Sequence, residues 1–428
     1  MTSPSRRDFL ALLATLTGAA ALGGCGAPSG PVPRDTPLRV AAVNHVWTKA
    51  IKERLPEIES RLGRPVSISM LTADQLSSQY NVKLNASATD IDVMMLRPLQ
   101  EQALFSRNGW LADLTTLVTG DADFRWDDVQ EAPRSASTVN GRVRSVPVVT
   151  ERSVLYYRKD LVAPPRTLDE LLASARRLHD PAAGRYGAVG RGQRTGAVTQ
   201  WSSFLYSFGG DFVVDGRSTV AAPEAIAAYT YYGELLGRTG PPGVANMSLE
   251  QALPVFGQGK AAFYVDADSV YTSLLDPKSS TVGDRIGFAP FPAGPAGARP
   301  YNVPSWSLGI NRYSRLQDDA WQFLRWASGP ATVTAIQTAG IPGARTSVWA
   351  DPATLAGFPA DLAAAMAVNA RNGVGSDRPK VLQVGRARDI VGGPLVAGIL
   401  GQPVAAAAQE ADAELTTFLA RDNLHRER

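Results

Sequence analysis

Cysteine and histidine are scarce in this chain. Of 428 residues, one is cysteine (Cys25) and three are histidines, His45, His179 and His425. A single thiol cannot close an internal disulfide, complete a multi-cysteine zinc site or sit in a CxxC pair. The histidines lie far apart and none has an HExxH-type partner, so no metal site is expected. They are also too few and too dispersed for a nucleophile triad, and no GxSxG elbow is present. There is no block of Lys and Arg of the kind that follows nucleic acid: the formal charge is +3 and Arg is scattered among acids. Nucleic acid is therefore not an expected partner. Beyond the first 25 residues no apolar run approaches membrane length.

What is present begins at the N-terminus. Ser5-Arg6-Arg7-Asp8-Phe9-Leu10 resembles the twin-arginine export motif, and an uncharged run of small and apolar residues follows from Phe9 to Gly24. At about 16 residues the run falls short of the roughly 20 needed to span a bilayer, so it reads as a secretory signal. Leu22-Gly23-Gly24-Cys25 resembles a bacterial lipobox, which implies diacylglyceryl modification of Cys25 after residues 1–25 are processed. Two acyl chains hold a protein to a membrane far more firmly than one. Residues 26–37, rich in Gly and Pro and poor in apolar side chains, read as a flexible linker.

The remaining chain, about 400 residues, is long for one hydrophobic core and suggests two domains. Hydrophobic residues at 44% and charged residues at 19% are ordinary for a globular protein. Leu38–Val43 is a short apolar run that predicts a buried strand. Val46, Trp47, Ala50, Ile51, Leu55, Ile58 and Leu62 then recur at helical steps until Gly63. Val66–Met70 and Ile91–Leu96 predict two more strands, and this alternation implies a parallel α/β sheet. A second block opens near Pro147, with strand-like Val154–Tyr157 and a capping box at Thr167-Leu168-Asp169-Glu170. Helices are predicted over Pro223–Leu236, Asp319–Ala327 and about Gln402–Leu419, with a strand at Ala261–Val265. The stretch Phe288–Pro304 breaks the pattern.

In open α/β sheets ligands bind beyond the carboxyl ends of the strands. Those loops hold Asn44-His45-Val46-Trp47, Arg97-Pro98-Leu99-Gln100, Thr150-Glu151-Arg152 and Asp266-Ala267-Asp268. Bidentate polar groups beside aromatic rings suit a polyhydroxylated ligand: the former take vicinal hydroxyls while a ring stacks on the C–H face. Trp47 also has a helix-face explanation, and Glu151 is equally placed for a structural role. Gly190, Gly192 and Gly196 give GxGxxxG rather than a dinucleotide loop, so Arg191 and Gln193 are read as reaching a cleft instead. Arg345 and Arg378 are explained by exposed salt bridges.

An ordered series of segments resembles the family 1 extracellular solute-binding proteins, receptor lipoproteins of bacterial sugar ABC importers. The series runs through Asp92-Val93-Met94-Met95, Asn108-Gly109-Trp110-Leu111-Ala112-Asp113-Leu114, Val146-Pro147-Val148 and Leu155-Tyr156-Tyr157-Arg158-Lys159-Asp160-Leu161. It continues through Ser207-Phe208-Gly209-Gly210, Gly259-Lys260-Ala261-Ala262, Trp306-Ser307-Leu308-Gly309-Ile310-Asn311 and Ala320-Trp321-Gln322-Phe323-Leu324. The resemblance implies a two-lobed periplasmic-binding-protein fold (type II), with discontinuous α/β lobes joined by hinge strands. Lobe 1 is expected over 38–147 plus 302–345 and lobe 2 over 148–301 plus 346–428. Second and third crossings are expected within Phe288–Pro304 and near Thr346.

The resemblance further implies a sugar or polyol ligand, permease and ATPase subunits on other chains, a monomer, no cofactor and no covalent chemistry. Trp306 matches an aromatic near the sugar in the family, and it stands equally as a core residue at a strand end. Arg97 occupies a place where many such receptors carry an Asp. Because Arg cannot accept a hydrogen bond, it is expected either to pair with an acid such as Glu151 or to face an anionic or open-chain polyol ligand. The expected ligand-binding set is Asn44, His45, Trp47, Arg97, Glu151, Gln193, Asp266, Asp268 and Trp306. Two rival readings remain: a lipid-anchored glycosidase using two of Asp266, Asp268 and Glu151, and a cell-surface carbohydrate sensor.

Overall fold

The computed structural model describes residues 30–424. The export signal, Cys25, residues 26–29 of the linker and His425 lie outside the described residues. Residues 30–37 are not free linker: Arg64 Nη1 donates to Pro33 O at 2.8 Å and to Thr36 O, Arg34 Nη1 donates to Leu62 O, and Val32 packs on the neighbouring core. Polar anchoring of carbonyls by arginine holds a segment that has too little apolar surface to hold itself.

Eight strands form one sheet: β1 (Leu38–Val43), β2 (Val66–Leu71), β3 (Val93–Leu96), β4 (Val146–Arg158), β5 (Tyr186–Val189), β6 (Ala261–Ala267), β7 (Ile286–Ala289) and β8 (Asn302–Ile310), in the order β2-β1-β3-β8-β4-β6-β5 with β7 also on β4. β1 pairs in parallel with β2 and β3, and β5 with β6; β4 and β8 are antiparallel to their neighbours. The helical pattern over residues 46–62 is two helices, Val46–Glu53 and Leu55–Leu62, because Pro56 has no N–H to give and restarts the helix in its first turn. Gly63 ends the second in the left-handed conformation, φ 59°. At the helix Leu168–Leu178, Thr167 accepts from Glu170 N, but the Glu170 carboxylate takes the N–H of Arg166, so the capping box closes one residue early.

The two lobes meet within β4. From Val146 to Arg152 this strand pairs with β8, and from Ser153 onward it pairs with β6 and β7. A third segment joins here, since Thr150 N donates to Pro342 O at 3.1 Å and Thr150 Oγ1 to Gly343 O at 2.9 Å. Apolar side chains sort accordingly. One core draws on Leu38–Val149 and Leu308–Ile341. Two others draw on Val154–Phe291 and the chain from Phe358 onward. In the second lobe the helices Arg194–Ser207, Pro223–Thr239 and Val384–Ile399 pack together, with Trp201 stacked on Tyr229 at 4.0 Å. This is the two-lobed periplasmic-binding fold expected from the sequence. No helix among the described residues is long and apolar enough to cross a membrane.

Candidate functional site

A cavity of about 360 Å³ lies where the lobes cross over, near the small end of the usual range for small-molecule sites. Three groups of residues line it: Arg97, Leu99 and Gln100 after β3; Glu151, Tyr301, Val303, Pro304, Ser305 and Trp306 on the crossing strands; and Arg191, Thr199, Ser269, Asp377, Arg378 and Arg388 from the second lobe. The register between β8 and β4 shifts on either side of Trp306. Such a bulge re-aims side chains, and here it leaves Ser305 and Trp306 half-buried at the cavity wall while their neighbours stay in the sheet.

Arg97 hydrogen-bonds Glu101, with Nη2 to Oε1 at 2.6 Å, and its guanidinium lies 5.9 Å from the Trp306 ring centre. Its acidic partner is therefore Glu101 and not Glu151, because a π-helical turn over Pro98–Gln102 folds Glu101 back onto the strand end. Glu151 instead accepts from Ser269 Oγ at 2.7 Å. Burial pushes its carboxyl up to about 7; the Ser269 bond works the other way, and the buried carboxylates of Asp268 and Asp266 add to the rise.

Asp266 and Asp268 do not face the cavity as free carboxylates. Asp266 takes Arg191 Nε at 2.8 Å, Gln200 Nε2 at 2.9 Å, Tyr264 OH at 2.6 Å and Ala267 N at 2.7 Å. Those bonds use up its acceptor directions, so its role is to aim Arg191. Asp268 is paired with Arg152 at 2.8 Å, both side chains fully buried, and Arg152 lies 4.5 Å over the Trp349 ring. A buried carboxylate needs such a partner, and the strand crossing supplies it at once.

Trp47 is also placed otherwise than expected. It is 1% exposed, deep in the first lobe's core, because the apolar face of its helix packs on β1 and β3. His45 caps that helix, its Nδ1 accepting from Trp47 N at 3.1 Å, and burial together with the Lys49 charge pushes it down to about 4. Asn44 is exposed beside it. None of these three lines the cavity. Gln193 is an exposed N-cap residue, and it is Arg191 that reaches inward from the same turn. Gly192 is required there for close approach: a Cβ would sit 2.0 Å from Val244 O.

Arg378, read from sequence as an exposed salt bridge, lines the cavity. It pairs with Asp377 (Nε to Oδ1 2.6 Å) and crosses to the other lobe through Gln100 Oε1 at 2.9 Å. Arg345, read the same way, is buried away from the site, donating to Ser328 O at 2.7 Å and lying 4.9 Å over the Phe124 ring. Arg388 and Thr199 carried no sequence signal, being polar residues in mixed helices with no motif around them. Among the described residues no group of three or more His, Cys, Asp and Glu could hold a metal ion. The site's chemistry is hydrogen bonding by planar groups around one aromatic face.

The sequence profile of bacterial extracellular solute-binding proteins matches residues 61–334. The chain belongs to that family. Among relatives of this solute-binding protein, the mannitol-binding protein of Pseudomonas aeruginosa is 30% identical over 54% of this chain and 55% of its own length. The alignment thus spans about half of that relative. The erythritol/L-threitol-binding protein of Mycolicibacterium smegmatis is 24% identical over 79% of this chain and 80% of its own. Of solved structures, an ABC transporter solute-binding protein of Agrobacterium radiobacter in complex with ribitol superposes with TM-score 0.76 at 25% identity, covering 90% of this chain and all of that one.

Proposed function

We propose that this protein is the substrate-binding component of an ABC importer, capturing a small polyol in the inter-lobe cavity and presenting it to permease and ATPase subunits on other chains. The observation that carries this reading is the cavity itself. It sits where three chain segments cross between the lobes, with a tryptophan face, four guanidiniums, three amide or carboxyl groups and several hydroxyls around it. Relatives named for mannitol and for erythritol and L-threitol support an open-chain polyol as the ligand class. A volume of about 360 Å³ favours a single small polyol over an oligosaccharide.

Capture is reversible and leaves the ligand intact. In support, Asp266 and Asp268, one of which a glycosidase would need beside Glu151, are each locked to an arginine. The binding set is Arg97, Gln100, Glu151, Arg191, Thr199, Ser269, Trp306, Arg378 and Arg388. The lobes are taken as 38–152 plus 302–345 and 153–301 plus 346–424, hinged about Thr150–Ser153, Tyr301–Ser305 and Pro342–Arg345. The protein acts as a monomer, exported and held on the outer face of the cytoplasmic membrane through a lipidated Cys25.

A thermal-shift screen of the purified protein with four- to six-carbon alditols, their aldonates and neutral sugars tests the capture. A ligand at about one hundred times its dissociation constant stabilises the fold by about 2.7 kcal/mol. Stabilisation by one narrow class, with the ligand recovered unchanged, is expected. No shift across the panel, or a cleaved ligand, overturns the reading. Cys25→Ala should release the protein from the membrane fraction; an unchanged distribution would remove the anchor.

A further inference from the structure

Charge in the cavity is unequally compensated. Four guanidiniums line it, from Arg97, Arg191, Arg378 and Arg388. Three of them have a carboxylate of their own: Glu101 for Arg97, Asp266 for Arg191 and Asp377 for Arg378. Arg388 has none within ion-pair distance among the described residues. Its Nε donates to Thr195 O at 2.9 Å and its Nη2 to Thr199 Oγ1 at 3.2 Å, both uncharged acceptors. Arg378 Nη2 converges on the same Thr199 Oγ1 at 3.4 Å, so two guanidiniums share one hydroxyl. The remaining acid on the wall, Glu151, is turned to Ser269.

We propose, building on the polyol reading of this cavity, that its ligand is an anionic polyol, an aldonate or a polyol phosphate, whose charged group is held by Arg388 together with Arg378. Like charges brought together away from water repel, and a bound anion removes that cost while taking charge-assisted hydrogen bonds from both planar forks. A neutral alditol offers hydroxyl oxygens to the same donors and leaves the excess positive charge in place. The neighbourhood already strains the Arg388 cation: burial, with Arg378, Arg191 and Arg97 close by, pushes its guanidinium down to about 9 against the pull of Asp377.

Calorimetric titration of the purified full chain with matched sets tests this: mannitol, mannonate and mannitol 1-phosphate, then ribitol, ribonate and ribitol 5-phosphate. One anion of a set should bind about tenfold or more tighter than its alditol, and the gap should narrow between about 20 and about 200 mM salt as the charges are screened. Whether aldonate or phosphate is preferred identifies the charged group. In Arg388→Gln the ratio of anion to alditol affinity should fall toward one, and Arg388→Lys should keep part of it. If Arg388→Gln does not fold, the wild-type ratio and the lysine variant still decide. An alditol that binds as tightly as both of its anions overturns the anionic ligand and leaves the polyol receptor standing. Failure of every member, charged or neutral, overturns the polyol reading as well.

Discussion

Arg152 and Asp268 meet at the crossing of the lobes at 2.8 Å with no solvent on either side chain. Removing one member of such a pair strands a charge in low dielectric, which costs about 3–5 kcal/mol. Asp268→Ala should therefore lower stability by that amount in urea unfolding. Glu151 beside it behaves differently. Its carboxyl sits at about 7 in the fold against 4.5 ordinarily, so between those values the folded state holds the proton more tightly. Stability is fully present below pH 4.5 and falls as pH rises through 7, by up to about 3 kcal/mol. Glu151→Gln should flatten that slope and stabilise the ligand-free protein at pH 8, which unfolding curves across pH would show. The two tryptophans should separate cleanly. Trp47→Ala should cost about 3–5 kcal/mol of stability by leaving a core cavity. Trp306→Ala should leave the fold near wild type and cost about tenfold in ligand affinity by titration, because only its cavity face is lost.

At the scale of elements, β4 does the joining and the bulge in β8 does the aiming. β4 belongs to the first lobe as far as Arg152 and to the second from Ser153, so one of the three crossings falls at that peptide. The turn before the helix Arg194–Ser207 carries Arg191 inward, and Gly192 lets it pass against Val244. Gly192→Ala should force the turn away, with a stability loss of about 1–3 kcal/mol and weakened binding, read by thermal unfolding and calorimetry together. A loss of stability without any change in affinity would show that Arg191 is not held by that turn.

For the whole molecule, one core in the first lobe and two in the second are joined by three crossings, which is where the proposed hinges lie. Arg378 already bridges the gap through Gln100. A ligand that touches both walls has more contacts when they approach, so it stabilises the closer arrangement by its difference in affinity for the two. Small-angle scattering should show a smaller radius of gyration with saturating ligand than without it. Identical profiles would mean that capture involves no closure.

Most strands and helices were legible in the sequence because they depend on near neighbours: alternation, helical spacing and Gly63, while the break at Pro56 was missed. The family and the two-lobed fold were legible because ordered local segments survive together. Arg97, Glu151 and Trp306, at strand ends and crossings, line the cavity. What the sequence could not place were the partners. Arg191 and Asp266 stand 75 residues apart, and Arg152 and Asp268 116, so no local pattern says which acid is consumed by which arginine. Trp47 looked like a stacking ring until the core closed over it, since a helix face reads the same whether sheet or ligand covers it. Arg388 gave no signal from its place in a mixed helix, and only the packing of that helix beside Arg194–Ser207 brings it into the cavity, with no carboxylate at ion-pair distance among the described residues. Local periodicity fixes elements; charge compensation is a property of distant segments brought together, and only the tertiary structure decides it.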